Sequence, residues 1–260
     1  MTYHSVSAAD LALVIDDVGY SKVRGERAIA LPGNITIAVL PFTPHAQALA
    51  SAASARGKDV IVHQPMEPHP SAHARREHDT LTLTMPEHEF DAMVARALET
   101  IPERVGLSNH TGSLLTQHRE PMRRLMRTLG ERGLYFLDSR TSAGTVAMQV
   151  AREMGVPAVR RDVFLDHDKH PAAIAAAFNK AVRIARYQGR AVLVGHPYPE
   201  TLDFLEHRLT DLPSDVRLVS AYWLAKRADA ELAQLRGVAT HLAAPAQPLD
   251  QARPRISLGR

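Results

Sequence analysis

Residues Leu11–Tyr20 read LALVIDDVGY, an aliphatic run that ends in two adjacent aspartates and then a glycine. A short apolar run bounded by a glycine turn is the pattern of a buried strand. Its last residues, Asp16 and Asp17, then lie at the C-terminal strand end. Two carboxylates side by side repel each other unless a proton, a cation or solvent relieves them. Either the pair sits in a solvated strand-to-helix loop, with Asp17 capping the helix, or it frames a metal ion.

The same strand-then-helix unit recurs along the chain. Further strands are predicted at Ile35–Leu40, Val60–His63, Val105–Asn109, Leu134–Asp138, Ala158–Phe164, Ala191–Gly195 and Val216–Ser220. Between them HAQALASAASARG, EHEFDAMVARALETI, EPMRRLMRTLGERG and PAAIAAAFNKAVRIARYQG have helical character, most with helical spacing of apolar residues and several ending in glycine. In the last of these, Pro171 suits the first helical turn, and Asp168 or His170 is placed to cap it. Alternating strands and helices imply parallel pairing through right-handed crossovers. Seven or eight such units in roughly 230 residues favour a closed (β/α) barrel over an open sheet. No Gly-x-Gly-x-x-Gly follows any strand, so a dinucleotide-binding fold lacks its motif. One barrel domain is expected over residues 8–238. The tail 239–260, with its Pro, Ala, Gln and Arg content and no periodicity, is expected to be disordered.

Composition narrows the chemistry. The 260 residues include no cysteine, which excludes disulfides, thiolate metal sites and cysteine nucleophiles. Any metal must be held by His, Asp or Glu. The formal charge of +3 is spread over charges of both signs, and aromatics make up only 5%. That mixture argues against a nucleic-acid stripe or stacking platform. No apolar run approaches the roughly 20 residues that span a bilayer. The chain opens MTYHSVSAAD, without the charged-then-apolar pattern of an export signal, so a cytoplasmic location is one expectation.

The polar residues cluster at predicted strand ends: Asp16 and Asp17, His63, His110, Asp138 and His196. In a parallel barrel these ends share one rim, where active sites form. A lone histidine after a strand is most often a hydrogen-bonded loop residue, but three on the rim that holds a double aspartate point to a metal site. Asp17, His63 and His110 form a two-histidine, one-carboxylate set that leaves metal positions open. Asp16 is then free to act as a general base. His69, His73 and His78 lie in the charged loop Met66–Thr80, and His118 lies beyond His110; both are read as surface. The HD dipeptide in Phe164–Pro171 precedes a proline-started helix and reads as loop and cap. No nucleophile elbow or P-loop occurs. A glycosidase pair of Asp16 and Asp138 would leave the histidines idle.

LVIDDVGY, ITIAVLPFTPHA, VHQPMEP, GLSNHTGS, FLDSRTS, RDVFLD and VGHPYPETL run in order from Leu13 to Leu202. As a set they resemble the divergent polysaccharide deacetylases, bacterial relatives of metal-dependent carbohydrate esterases. The resemblance implies a distorted, usually seven-stranded (β/α) barrel and a divalent metal, most often zinc. It implies Asp16 as base, Asp17, His63 and His110 as metal ligands, and His196 as general acid. Asp138, Arg140, Asp162 and Asp166 would face substrate or support these groups. The implied substrate is an N-acetylated cell-envelope glycan, and the implied compartment is the periplasm. A non-catalytic glycan-binding protein on the same scaffold, and a metal-dependent hydrolase of another bond, are the competing readings. One departure stands out: better-characterised deacetylases carry both metal histidines in one segment, whereas here His63 and His110 come from different strands.

Overall fold

The computed structural model describes residues 8–70 and 79–242. Its strands are β1 (Ala9–Val18), β2 (Thr36–Val39), β3 (Asp59–Met66), β4 (Arg104–Thr111), β5 (Tyr135–Asp138), β6 (Ala158–Arg160), β7 (Val163–Phe164), β8 (Arg190–Gly195) and β9 (Val216–Val219). The intervening helices are α1 (Lys22–Ala30), α2 (Ala46–Ala55), α3 (Glu87–Thr100), α4 (Arg119–Glu131), α5 (Ala147–Glu153), α6 (Pro171–Gln188), α7 (Pro199–Arg208) and α8 (Ala221–Leu242). The tail expectation falls on residues 243–260, outside the described ones, and α8 itself continues past residue 238. No helix among the described residues is long and apolar enough to cross a membrane.

Every ladder is parallel, in the order β6-β5-β4-β3-β2-β1-β8-β7, with β9 beside the start of β1. The fold is thus a distorted (β/α) barrel. Local chemistry sets its helix ends. Ser21 caps α1 through a side-chain bond from Arg24 N, and α6 starts at Pro171 behind His170 and stops at Gly189 with φ 78°.

The period-two alternation of strands divides the core in two. Ala12, Val14, Ala38, Ile61, Tyr135, Leu137, Val159, Val192 and Val194 form one cluster, with Ala221, Leu224 and Ala225 of α8 packed against them. The alternate positions, such as Leu11, Leu13, Ile15, Val62 and Leu193, pack with the surrounding helices. The first cluster is the barrel interior. α8 plugs its N-terminal end: Ala221 N donates to Thr36 Oγ1 at the start of β2, and Arg227 holds Asp10 at the start of β1. The opposite mouth belongs to the strand C-termini.

Sequence pattern predicts one strand over Ala158–Phe164; the chain instead makes two. Between β6 and β7, Arg161 N donates to Asp138 O on β5, while Asp162 N donates to Val192 O on β8. These two residues cross from one edge of the curled sheet to the other and tie its ends together. Because β7 pairs only with Leu193 and Val194, the barrel is closed near the mouth and lacks a ladder below it.

Candidate metal centre and active site

Consecutive strand residues face opposite sides, so Asp16 and Asp17 would not normally share a site. A bulge resolves this. In β1 the register runs from Ile15↔Ile37 to Val18↔Val39, one residue more than β2 supplies, and Asp17 adopts φ 57°. Such bulges re-aim side chains, and aspartate tolerates the left-handed region better than most residues. Asp16 keeps the interior parity of Ala12 and Val14, and the bulge brings Asp17 in beside it.

His63 and His110 reach the same place by register. His63 pairs with Ser108 on β4, and His110 lies two residues further on the same face. Both histidines lie inside strands that extend further than their sequences predict. Asp17 Oδ1 is 2.8 Å from His110 Nδ1 and 3.2 Å from His63 Nε2, and the two rings meet edge-on with centroids 5.0 Å apart. Asp16 Oδ2 stands 3.5 Å from His63 Nε2. His196 Nε2, at the end of β8, is 3.8 Å from the other Asp17 oxygen. The geometry thus brings Asp16, Asp17, His63, His110 and His196 into one cluster.

The donor set fits a divalent cation. One atom each from Asp17, His63 and His110 lies within 4.8 Å of the others. Asp17 Oδ1 is buried and, despite its close imidazole neighbours, lacks a partner with hydrogen-bond geometry, as does Asp16 Oδ1. Buried carboxylate oxygens are costly without partners, and a cation would satisfy them. Two imidazoles and one carboxylate are catalytic metal chemistry because they leave positions for water and substrate.

Electrostatics separate the roles of the two aspartates. Burial pushes the Asp16 carboxyl up, against the lowering effect of His63 and His196. Burial also opposes ionisation of Asp17, but the His110 and His63 imidazoles beside it outweigh burial and hold that carboxyl well below the usual range. His196 goes the other way. Burial disfavours its charge, yet the Asp166, Asp17 and Asp16 carboxylates push its pKa up to about 9.

Supporting residues lie one contact further out. His63 Nδ1 is 2.7 Å from Ser108 Oγ, which orients the ring so that Nε2 faces Asp17. Asp166 is buried and bonds His196 through both backbone and ring, while Thr201 donates to it at 2.8 Å. Arg161 donates to Ser139 O and Arg140 O, and its guanidinium lies 3.5 Å over the Phe164 ring, which stacks on His196. Burial pulls the Arg161 pKa down to about 10. Ser108, Thr201 and Arg161 escaped the sequence reading. The face of Ser108 was recoverable, since it sits two residues before His110 in an apolar strand.

Three expected site residues, Asp138, Arg140 and Asp162, stand outside the cluster. Asp138 has the helix-facing parity of Phe136, accepts from Arg140 N and Thr145 Oγ1, and is pushed up by burial. It shapes the turn after β5. Asp162 lies at the barrel seam, where its Oδ2 accepts from Val192 N, 2.8 Å away. Arg140 stands at that turn with φ 47° and offers its carbonyl to Arg161. His118 is exposed just before α4, and Asp168 and His170 form the loop and cap before α6, as expected. His69 is exposed, whereas His73 and His78 lie outside the described residues.

A cleft of about 170 Å³ opens on the cluster, lined by Asp17, Gly19, Tyr20, Arg24, His196 and Tyr198 among others. It gives a ligand access to both Asp17 and His196.

Comparison with known proteins agrees with this architecture. The chain is 38% identical over 216 residues to the uncharacterized protein YibQ of Escherichia coli (strain K12), covering 83% of this chain and 67% of that one. It is 36% identical over 218 residues to an uncharacterized protein of Haemophilus influenzae, covering 84% and 77%. The crystal structure of the uncharacterized protein ATU2773 from Agrobacterium tumefaciens C58 superposes with a TM-score of 0.80 at 24% identity, covering 86% of this chain and 92% of that one, and shares the fold. The family model described as divergent polysaccharide deacetylase matches residues 13–225, and with most of the chain inside that match, this protein belongs to the divergent polysaccharide deacetylase family.

Proposed function

We propose that this protein is a metal-dependent hydrolase that removes acetyl groups from an N-acetylated glycan of the cell envelope. The observation that carries this reading is the buried Asp17 oxygen set between two imidazoles, with a third, acidic imidazole on its other oxygen. Asp17, His63 and His110 would hold the cation, zinc being the natural choice for such a donor set. Bound there, it would supply Lewis-acid polarisation of the acetyl carbonyl and acidify water.

The protein's own groups divide the proton transfers. Asp16, whose raised pKa makes it a better base than a solvated aspartate, takes the proton from the attacking water. His196 enters protonated, and its Nε2 delivers that proton to the leaving amine nitrogen. Its Nδ1–H is committed to Asp166, so Nε2 is the one nitrogen left to donate. Membership of the deacetylase family supports an acetyl-glycan substrate; with a cell-envelope glycan as that substrate, the reaction would run in the periplasm. A purely glycan-binding role leaves the acidic His196 and the orphaned Asp16 oxygen without purpose.

The test is to measure bound metal in purified protein, then acetate release from chitin-like and peptidoglycan-like fragments. Asp16→Asn should retain metal and lose about 10²- to 10⁴-fold in rate. Acetate release that survives both chelation and Asp16→Asn would overturn the mechanism. Retained metal without release from any fragment would leave a binding scaffold.

A further inference from the structure

The barrel seam has a second polar cavity, remote from the mouth. Below Asp162, the β8 segment Arg190–Val192 pairs with β1 on one side, while β7 begins its pairing only at Leu193. On the other edge, β6 pairs with β5 alone. A wedge is left between them, and in it lies a cavity of about 160 Å³. Its wall includes Arg152 from α5, Arg160 from β6, Arg190 from β8 and Gln188 from α6. A neighbouring cavity, also about 160 Å³, shares Gln188, Arg190 and Leu224.

The wedge gathers positive charge. Several arginines elsewhere hold carboxylates, among them Arg27 with Asp203 and Glu206, Arg186 with Asp215, and Arg217 and Arg227 with Asp10. Among the described residues, Arg160 and Arg190 make no side-chain hydrogen bond or ion pair. The one carboxylate in the wall, Asp162, spends an oxygen on Val192 N. Two guanidiniums without counter-ions, joined by a third on the wall, form a cationic recess between two unpaired strand edges. Guanidinium forks match planar or tetrahedral oxyanions, and a recess raises the local potential over that of an open surface.

We propose that this seam cavity is a binding site for a multivalent oxyanion, a phosphate or a carboxylate, gripped by Arg160 and Arg190. It is separate from the metal centre and does not depend on the reaction assigned there. An anion here would bridge β6 and β8 where backbone pairing is missing, so binding would stabilise the barrel by linkage.

The experiment uses the whole protein at constant ionic strength, with pyrophosphate and citrate as separate probes, read by calorimetric titration and thermal unfolding. Saturable binding of either probe with a raised unfolding temperature is expected, and the preferred probe identifies the source chemistry. Arg160→Gln/Arg190→Gln should weaken binding tenfold or more. Arg160→Gln alone, at an exposed position, should weaken it about threefold and covers the case in which the double variant fails to fold. Asp17→Asn should bind the probe as the unaltered protein does. Absence of saturable binding, binding unchanged in the arginine variants, or binding lost in Asp17→Asn would each overturn the proposal.

Discussion

Asp166 grips His196 twice: one carboxylate oxygen accepts from the backbone N–H at 2.6 Å, and the other meets ring Nδ1 at 2.8 Å. A carboxylate only accepts, so Nδ1 carries the proton and Nε2 is turned toward Asp17. The pair fixes ring orientation and charge together.

That relationship predicts a pH signature. A neighbouring carboxylate stabilises the imidazolium and raises its pKa, here to about 9, so the acid form of His196 persists through neutral pH and is lost on the alkaline side. A cation on Asp17 would offset that residue's share and leave Asp166 the principal partner. Asp166→Asn should therefore shift the alkaline limb of kcat/KM toward lower pH by about one unit or more. A pH–rate profile on acetylated oligosaccharide checks this. An alkaline limb that does not move would remove His196 from the acid role.

Ser108 should matter to metal affinity without touching metal. Its hydroxyl lies 2.7 Å from His63 Nδ1 and holds the ring in the orientation that faces Asp17. Loss of such an orienting partner costs about 10- to 100-fold in metal affinity. Ser108→Ala should show that loss in competition with a chelator of known affinity, with its circular dichroism unchanged. Affinity equal to that of the unaltered protein would mean that strand packing alone orients His63.

How far the site was legible follows from strand periodicity. The interior parity of Ala12 and Val14 leads directly to Asp16, and that of Val192 and Val194 leads to His196. Asp138 ends its strand just as Asp16 does, yet it follows Phe136 and faces the helices; strand-end position alone misplaced it. Asp17 was legible only through the chemistry of a double aspartate. Its inward turn depends on a bulge and a positive φ that no pattern of apolar residues encodes. Nor could the run AVRRDVF reveal that its middle would cross between two sheet edges, because the crossing is fixed by partners on β5 and β8 far away in sequence.

The bulge rests on Gly19. That residue has φ 141°, and a Cβ there would lie 1.9 Å from Thr43 Oγ1 and 3.3 Å from Leu40 O. Neither the backbone angle nor the space admits a side chain. Gly19→Ala should cost about 2 kcal/mol or more in urea unfolding. Because Gly19 follows Asp17 by two residues, metal affinity should fall with it. Unchanged stability would show that the turn can rearrange freely.

Asp162 distinguishes a seam role from a substrate role. Its Oδ2 supplies the acceptor for Val192 N on an edge with no neighbouring strand at that point, and its own N–H returns a bond to Val192 O. Asp162→Ala strips the acceptor from a buried strand N–H, a loss of about 1–3 kcal/mol. Asp162→Asn keeps a carbonyl oxygen for the same bond and should cost less. Both variants should retain metal and the full rate per folded molecule, since this carboxylate faces the seam and not the cleft of Asp17 and His196. Denaturant unfolding beside steady-state kinetics separates the cases. If Asp162→Ala kept its stability and lost kcat, the residue would belong to the reaction, and the seam would need another tie.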